Sequence, residues 1–485
     1  MTDVTLALVL PLLGAFLLPL LAHGALRRLA VLFGPGLLAL SALLLFGAWS
    51  AYESPYAIAL GGFAPPLGIT FYVDRLALLF ALAVPLLTLL LWPGGSDEAS
   101  VRRQSLTLLL AASLTGLAMS GDLFNLYVFY ELAAVASYGL AAGSGTSAAF
   151  VAAFRYLLLS ALGSVIALFG IALIYFNTGT LNLAQLATLS EQLANPQGLA
   201  AFAMLVIGFG VKAELFPVNG WVPEVYGAAS QRVAALLAGL ASKLVVLAIV
   251  RILLLVFPGE EARQLLLVLG ILGVVSGELA AWQARDLTRM LAWSSIGQLG
   301  VVFIAFSLPG TIGLVAGVAV ALHHLVVKSA LFLLAERWGG AIDRLRGAAA
   351  SSWLGAALFV LFALSLLGLP PLPGFWSKFL VLGGLAEGGT PLHLLALAAI
   401  LIGTVIEGAY LLRVITRLYA AADRDDPPPA HRRSSLLASG LLASVLIGAA
   451  LFINPLWLGL RDLAASGIDT AGYVETVLGP AGGGR

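Results

Sequence analysis

Residues 208–224 read GFGVKAELFPVNGWVPE, a hydrophobic stretch that contains charged side chains and two prolines. Pro217 and Pro223 each lack a backbone donor and clash with the preceding turn, so a helix through this stretch must be interrupted. Unwound backbone at membrane depth is tolerated only inside protein or along a wet cavity. Lys212 and Glu214 lie beside the interruption. The stretch therefore predicts a broken transmembrane helix of the kind that holds ion sites in transporters.

The composition of the whole chain is that of an integral membrane protein. Of 485 residues, 61% are hydrophobic and 10% are charged, and the mean hydropathy is +1.03, which excludes a soluble fold with a hydrated surface. Apolar runs of about 20 residues match the length that an α-helix needs to cross a bilayer. These runs lack the alternation of barrel strands. The sequence therefore predicts an all-α polytopic membrane protein.

Several kinds of site are excluded by composition. The chain has no cysteine, so disulfides, thiolate metal sites, iron–sulfur clusters and cysteine nucleophiles are excluded. The five histidines have no carboxylate at metal-ligand spacing, which argues against a metal site. Basic residues are scattered among helix ends, so no nucleic-acid role is expected. We expect no bound cofactor, and any redox chemistry would belong to another subunit.

About fourteen transmembrane helices follow from cutting the apolar runs at glycines, prolines and charged clusters. The first is expected to be a retained helix rather than a signal peptide, because no basic segment precedes it and no cleavage site follows it. A short interfacial helix is expected between residues 177 and 198. The predicted transmembrane helices span residues 4–23, 29–49, 72–93, 105–120, 122–142, 150–176, 199–226, 231–257, 264–283, 287–307, 310–337, 352–386, 392–421 and 435–455.

A second predicted break divides the chain into related parts. It contains Pro370, Pro371, Pro373 and Gly374, and a lysine lies beside it as beside the first break. Inverted repeats with broken helices are a common plan of transporters. We therefore predict three N-terminal helices (1–104), two inverted five-helix repeats (105–257 and 264–421), and a final part (422–485) with a cytoplasmic loop, the last helix and a loose tail.

The distribution of arginines predicts the orientation in the membrane. Alternate loops are rich in basic residues, whereas residues 51–70 and 177–198 have none. Because basic loops stay in the cytoplasm, both termini are expected to lie outside a prokaryotic cell membrane. The residues that carry this bias are Arg27, Arg28, Arg102, Arg103, Arg155, Arg232, Arg285, Arg289, Arg337, Arg344, Arg346, Arg424, Arg432 and Arg433.

Charged side chains deep inside the predicted helices are the candidate functional residues. A charge near the bilayer centre costs about 2.5 to 3.5 kcal/mol on insertion scales, so each needs a partner, a water-filled cavity or a function. His324 and Lys328 are four residues apart and share one helix face. The full set comprises Glu131, Lys212, Lys243, His324, Lys328 and Lys378, with Glu214, Glu278 and Glu407 as further candidates on an ion pathway.

Structural roles compete with these functional ones. Lys328 could form a structural ion pair or extend its amine towards the membrane surface, because Glu336 and Arg337 mark the approaching end of its helix. Glu278 and Glu407 fit structural ion pairs at least as well as a role in transport. His323 is expected to be a hydrogen-bonded packing residue. Glu131, Lys212 and Lys378 favour function, since they are deep and two of them adjoin a helix break.

Five motifs give the sequence a family resemblance. VKAELFPVNGWVPE, AAFRYLLLSALGS, QARDLTRMLAWSSIGQLG, LHHLVVKSALFLL and LPPLPGFWSKF all occur between residues 70 and 420. Together they resemble the proton-conducting antiporter-like family shared by Mrp-type sodium/proton antiporters, respiratory complex I and membrane-bound hydrogenases. The spacing around Lys212 and the LAWSSIGQLG segment are most similar to the D subunit of Mrp antiporters.

The resemblance implies roles for the candidate residues. Glu131 matches the family's essential glutamate of the fifth helix, Lys212 the lysine of the broken seventh helix, and Lys243 the bridging lysine of the eighth. His324 and Lys328 match the histidine and lysine of the eleventh helix. Lys378 matches the terminal charged residue beside the twelfth-helix break. In the family these groups form a hydrated chain along which protons move as charged pairs open and close.

The sequence also departs from the family pattern. Glu214 stands where relatives usually have a small or apolar residue, and Asn219 where many complex I relatives have a histidine. The eighth helix begins with AASQRVAALLAGL, without the usual proline. These changes leave the lysines intact but bear on which ion is exchanged. We expect Glu214 to tune Lys212 or to add an ion ligand.

Three functions fit the sequence. The first is a proton-translocating subunit of a multisubunit cation/proton antiporter that exchanges protons for an ion such as sodium, which would be a transporter rather than an enzyme. The second is a non-redox pumping subunit of a quinone reductase or hydrogenase. The third is a proton-driven module for another solute such as inorganic carbon. Each implies other membrane subunits as partners within a lipid bilayer.

Overall fold

The computed structural model describes residues 2–21, 27–95, 97–421 and 433–479, and these residues are mostly helical. In chain order the helices are α1 (Thr2–Leu21), α2 (Arg27–Ser50), α3 (Arg75–Leu90), α4 (Glu98–Met119), α5 (Leu123–Ala142), α6 (Ser147–Thr178), α7 (Leu183–Thr188), α8 (Pro196–Gly210), α9 (Val222–Ala228), α10 (Gln231–Leu236), α11 (Ser242–Leu255), α12 (Glu260–Gln283), α13 (Leu287–Ser307), α14 (Gly310–Trp338), α15 (Ala348–Ser351), α16 (Trp353–Leu367), α17 (Pro373–Gly388), α18 (Pro391–Tyr419), α19 (Arg433–Leu451), α20 (Ile453–Gly467) and α21 (Thr470–Leu478).

The helices follow the predicted spans closely. Each of the fourteen predicted spans coincides with one helix or with two helices separated by an interruption. Within the described residues, nine spans are long and apolar enough to cross a membrane: eight single helices and the segment Gln231–Leu255, which comprises α10 and α11. The predicted short helix between residues 177 and 198 is α7. The predicted class, a helical polytopic membrane protein, is confirmed.

Polar N-caps place the starts of several helices. A side-chain oxygen that accepts a hydrogen bond from a backbone N–H of the first turn satisfies a donor that the helix itself cannot pair. Such caps open α3, α5, α6, α7 and α8. The capping residues are Asp74, Asp122, Thr146, Asn182 and Asn195.

Both predicted breaks are present. α8 ends at Gly210 and α9 begins at Val222, with Pro217 in the interruption and Pro223 in the first turn of α9, where a proline leaves no helical hydrogen bond unmade. In the second break, Gly368 ends α16 in the left-handed region with φ 84°, which glycine adopts without strain. Pro370 and Pro371 follow it, and Pro373 and Gly374 open α17.

The eighth span holds an irregularity that the sequence did not predict. A π-helical turn, Leu237–Ala241, separates α10 from α11. Such turns occur frequently at functional sites. Lys243 follows this turn by two residues.

Two parts of the structure differ from the all-α, loose-tailed prediction. An antiparallel pair of strands, β1 (Tyr56–Ala59) and β2 (Thr70–Val73), lies in the predicted loop after the second span, and β2 includes the first two residues of the predicted third span. Most of the described C-terminal tail is helical: α20 meets α19 at an angle of 87°, and α21 packs against α7 and β1. The predicted cytoplasmic loop at 422–432, including Arg424 and Arg432, and the last residues 480–485 lie outside the described residues.

The described chain separates into two compact units. Unit 1 comprises Met1–Ala213, Leu240–Arg263 and Leu463–Arg485, and unit 2 comprises Glu214–Gly239 and Gln264–Asp462. Unit 1 is built on the packing of α6 with α8 and of α1 with α2 and α4. Unit 2 is built around α14, which packs with α10, α13, α17 and α19. The predicted division into repeats at 105–257 and 264–421 stays a prediction.

Candidate functional site

A first polar cluster lies in unit 1 around Lys212, directly after the end of α8. The Lys212 ammonium donates a hydrogen bond to Ser160 Oγ of α6 at 2.7 Å. It also lies 3.4 Å from the centre of the Tyr130 ring of α5, a distance at which the ring face attracts a cation. We call Lys212, Ser160, Tyr130 and Glu131 the first cluster. The buried ammonium is thus stabilised by a hydrogen bond and by the face of an aromatic ring. Within the described residues it forms no ion pair.

The helix break supports this cluster. The last four carbonyls of a helix lack partners within the helix, and the Gly208 carbonyl near the end of α8 accepts a hydrogen bond from the Tyr130 hydroxyl at 2.7 Å. The Tyr130 ring also packs edge-on against Phe209, with 4.9 Å between the ring centres. The interruption of α8 thus fixes the aromatic ring that faces Lys212.

Glu131, the predicted partner of Lys212, does not form an ion pair with it in the described part of the chain. Glu131 follows Tyr130 on α5 and is half-buried. Both residues lie in the described part of the chain, and no ion pair joins them. The Oε1 atom of Glu131 is buried without a hydrogen-bond partner in that part. The Glu131 charge nevertheless acts electrostatically on Lys212. The cluster therefore contains a carboxylate and an ammonium that interact without a direct ion pair.

Lys243, also in unit 1, is buried in α11. Its amine donates a hydrogen bond to Ser242 Oγ at 3.0 Å. Two turns further along α11, Arg251 forms a buried ion pair with Asp74, in which Nη2 and Oδ1 are 2.6 Å apart. Asp74 also caps α3 by accepting from Ala77 N at 2.7 Å. The sequence did not reveal this pair, because its members are 177 residues apart.

A second polar cluster lies in unit 2 around Lys328 of α14. The Lys328 amine donates to Ser294 Oγ of α13 at 2.6 Å and to the Leu291 carbonyl at 3.3 Å. The side chain has no exposed surface within the described structure. His324, one turn earlier, has Nε2 3.5 Å from Ser295 Oγ. The predicted shared helix face of His324 and Lys328 therefore meets two consecutive serines.

Lys378 belongs to a different group of unit 2, next to the second break. Its amine and Glu407 Oε2 of α18 are 2.8 Å apart. The other carboxylate oxygen, Oε1, accepts from Gln298 Nε2 at 2.7 Å. Glu278 accepts from the Tyr410 hydroxyl at 2.9 Å. The predicted pairing of Glu407 is thus present, and its partner is one of the candidate lysines.

His323 and Glu214, both in unit 2, are the remaining buried residues singled out from the sequence. His323 Nε2 is 2.9 Å from Ser365 Oγ of α16, which fits the hydrogen-bonded packing residue that was expected. Glu214 is buried in the first break and accepts a hydrogen bond from the Tyr226 hydroxyl at 2.7 Å. Ser160, Ser294 and Tyr226 could not be selected from the sequence, since serines and tyrosines are frequent throughout the chain.

Comparison with known proteins gives consistent matches. Residues 120–406 match the family described as NADH:quinone oxidoreductase/Mrp antiporter, transmembrane. NADH-quinone oxidoreductase subunit N of Desulforudis audaxviator is 34% identical over 459 residues, which cover 88% of this chain and 91% of that protein. A chain of the membrane-bound sulfane sulfur reductase, an archaeal respiratory membrane complex, superposes with a TM-score of 0.90 at 30% identity. The superposition covers 98% of this chain and 100% of that chain. A chain of the Mrp complex from a Dietzia species superposes with a TM-score of 0.87 at 26% identity, and the superposition covers 99% of this chain and 100% of that chain.

Proposed function

Because the chain belongs to the NADH:quinone oxidoreductase/Mrp antiporter family of membrane proteins, we propose that it translocates protons as one subunit of a multisubunit cation/proton antiporter. One observation carries this proposal. Four lysines inside helical spans, Lys212, Lys243, Lys328 and Lys378, are only 4%, 1%, 0% and 7% exposed. Each amine donates to a side-chain oxygen. Residues of this type are costly in a membrane and are rare without a function.

The first cluster has the properties of a proton switch. Desolvation favours the neutral form of a lysine in general, and a nearby carboxylate favours the charged form. When Glu131 approaches Lys212, the ammonium is stabilised; when the pair is separated, the proton can leave. Moving one charge across 100 mV involves about 2.3 kcal/mol, which corresponds to less than two pKa units. Opening and closing such a pair is therefore sufficient to couple proton movement to an ion gradient.

The groups of unit 2 supply further proton-transfer sites. Lys328 has neutral oxygen partners, so it can release its proton without breaking an ion pair. Its neighbour His324 can exchange a proton through either ring nitrogen. Lys378 and Glu407 form a closed pair. In this proposal each unit thus contains lysines that alternate between charged and neutral forms, as the family resemblance implies for these positions.

The proposed setting is a complex in a prokaryotic cell membrane. The sulfane sulfur reductase chain belongs to a respiratory membrane complex, which supports other membrane subunits as partners of this chain. The distribution of arginines supports a position of both termini outside the cell. The lipid bilayer surrounds apolar side chains of α6 such as Phe154 and Phe169, which are 61% and 63% exposed.

A pumping subunit of a redox complex is the second candidate function. It is favoured by the 34% identity with NADH-quinone oxidoreductase subunit N and by the likeness to the sulfane sulfur reductase chain. In that setting the same lysines would carry protons, while electrons move in other subunits. A module driving uptake of another solute has no observation in its favour.

The test uses the intact complex purified from its native membrane and reconstituted in liposomes. An imposed sodium gradient should drive proton movement that a pH-sensitive dye detects, and Lys212→Ala should abolish it. Proton movement at the full rate in this variant would refute the proposal. Flavin, iron–sulfur clusters or nickel in stoichiometric partner subunits, together with proton movement driven by an electron donor, would identify the redox complex instead.

A further inference from the structure

Glu214 is held in an unusual position within unit 2. Among the described residues it is the one non-glycine residue with a positive φ, at 57°. Residues with a side chain adopt this left-handed conformation only when their surroundings enforce it, and such strain concentrates at functional sites. Glycine would occupy the position without strain. The glutamate at this point therefore calls for an explanation beyond the shape of the backbone.

The surroundings of Glu214 direct its carboxylate to a defined partner. The Tyr226 hydroxyl of α9 donates to Oε1 at 2.7 Å, and Asn219 Nδ2 lies 3.4 Å from the Glu214 carbonyl. Glu214 is 1% exposed and Tyr226 is 0% exposed. Two aromatic contacts hold the Tyr226 ring: Trp221 and Phe332 lie edge-on with ring centres 5.8 and 5.4 Å away. Glu214 is thus a buried carboxylate with a fixed hydroxyl donor.

The contact with Phe332 connects this carboxylate to the second cluster. Phe332 follows Lys328 by four residues on α14, so the two side chains share one helix face. The charges of Glu407 and Glu278 act most strongly on Lys328, and that of Glu214 acts on it in the same direction, whereas Lys378 acts in the opposite one. α9, which carries Tyr226, packs on α13, and α13 provides the serine that binds Lys328.

We propose that Glu214 is a proton-accepting residue of the second cluster, held by Tyr226, which receives the proton that Lys328 releases. In this step an N–H bond of the Lys328 ammonium breaks and an O–H bond forms on the Glu214 carboxylate. An ammonium and a carboxylate become a neutral amine and a neutral acid. The step needs no further reactant. It rests on the proposed proton-translocating function and replaces the expectation that Glu214 tunes Lys212.

The test compares four variants of the intact complex in liposomes. Glu214→Gln keeps the size of the side chain but accepts no proton. Proton transport should therefore fall by at least about tenfold, a smaller factor than the roughly 10² to 10⁴ that an acid–base group usually contributes to a rate. Glu214→Gly removes the backbone strain and should be equally slow. Glu214→Asp keeps a carboxylate and should retain part of the rate. Tyr226→Phe removes the hydroxyl donor and should slow transport less than Glu214→Gln does.

Infrared difference spectroscopy supplies a second readout. Protonation of Glu214 should give a carboxylic acid C=O band that shifts on exchange into heavy water and disappears in Glu214→Gln. Glu261→Gln, which alters an exposed carboxylate at the start of α12, is the matched control and should keep both rate and spectrum. If Glu214→Gln does not assemble, the rate of Glu214→Asp and the band in Tyr226→Phe decide the matter.

Two results would overturn the inference. A full rate in Glu214→Gly or Glu214→Gln would show that the residue carries no proton. A slow Glu214→Gln variant whose spectrum retains every carboxylic acid band of the unmodified complex would show a permanently charged group. The Lys212→Ala variant separates this inference from the proposed function. If Lys212→Ala is slow while Glu214→Gln is fast, only the role of Glu214 fails; if both are fast, the proposed function fails as well.

Discussion

The ion pair of Lys378 and Glu407 provides a test that separates structural from functional charge. Three variants are compared: Lys378→Met, Glu407→Gln and the double variant. The two charged atoms are 2.8 Å apart, and the residues are 7% and 0% exposed. Each single variant therefore leaves a buried charge without its counter-charge.

The expected magnitudes follow from that burial. Removing one partner of a buried ion pair costs about 3 to 5 kcal/mol, whereas replacing both partners by neutral residues of similar volume is often neutral. The double variant should therefore lie within about 1 kcal/mol of the unmodified protein, since Gln298 can still donate to a glutamine at position 407. The double-mutant cycle should give a coupling energy of at least about 5 kcal/mol.

Stability and transport are measured on the same preparations. The free energy of unfolding is followed by titrating the complex with a denaturing detergent, and proton transport is followed in liposomes. The double variant should regain stability but remain slow, because neither residue of the pair can then take up or release a proton. A double variant that regains both would show that the pair is purely structural. Single variants that lose less than about 1 kcal/mol would refute the reasoning from burial.

Three further predictions concern unit 1. Ser160→Ala removes a hydrogen bond to a charged amine, worth about 1.5 to 3 kcal/mol, and should slow proton transport more than Ser160→Thr; equal rates would refute a role for the hydroxyl at Lys212. Tyr130→Phe removes only the hydroxyl, so it should keep the transport rate and lower the free energy of unfolding by about 1 kcal/mol. Tyr130→Leu also removes the ring over the ammonium and should slow transport. A Tyr130→Leu variant with an unchanged transport rate would contradict this. Asp122→Asn should stabilise the protein at neutral pH, because burial raises the pKa of the Asp122 carboxyl and asparagine caps a helix equally well. The burial penalty exists only where Asp122 is charged, so the stability gained by Asp122→Asn should shrink as the pH falls towards about 3.9, the ordinary pKa of an unfolded aspartate. Thermal unfolding of the complex measures this gain. A gain independent of pH would contradict the stated cause.

Hydropathy and proline placement made the helical part of the fold predictable. A membrane span depends on about 20 consecutive residues, and an interrupting proline acts within one turn, so both are local properties. The same holds for the depth of Lys212 and Lys328, which follows from their positions within apolar runs. Local patterns also explain the errors: α20 has only 15 residues and contains Arg461 and Asp462, so it lacks the uninterrupted apolar run that marks a membrane span.

The partners of the buried charges could not be predicted, since they depend on distant parts of the chain. Lys212 and Ser160 are 52 residues apart, and Asp74 and Arg251 are 177 residues apart. A serine or tyrosine in an apolar helix has no local signature, and a serine there can simply bond to its own backbone. The unusual φ of Glu214 was equally invisible, although its departure from the family pattern drew attention to the residue.

The central claim is that Lys212 carries protons rather than serving only as a positive charge. Lys212→Arg tests it most directly, because arginine keeps the charge and the hydrogen-bond donors but does not release its proton at physiological pH. Proton transport by the intact complex in liposomes is measured with a pH-sensitive dye, alongside the stability of the variant. The account predicts a stable complex with transport reduced to background. A stable Lys212→Arg variant that transports protons at the full rate would contradict it.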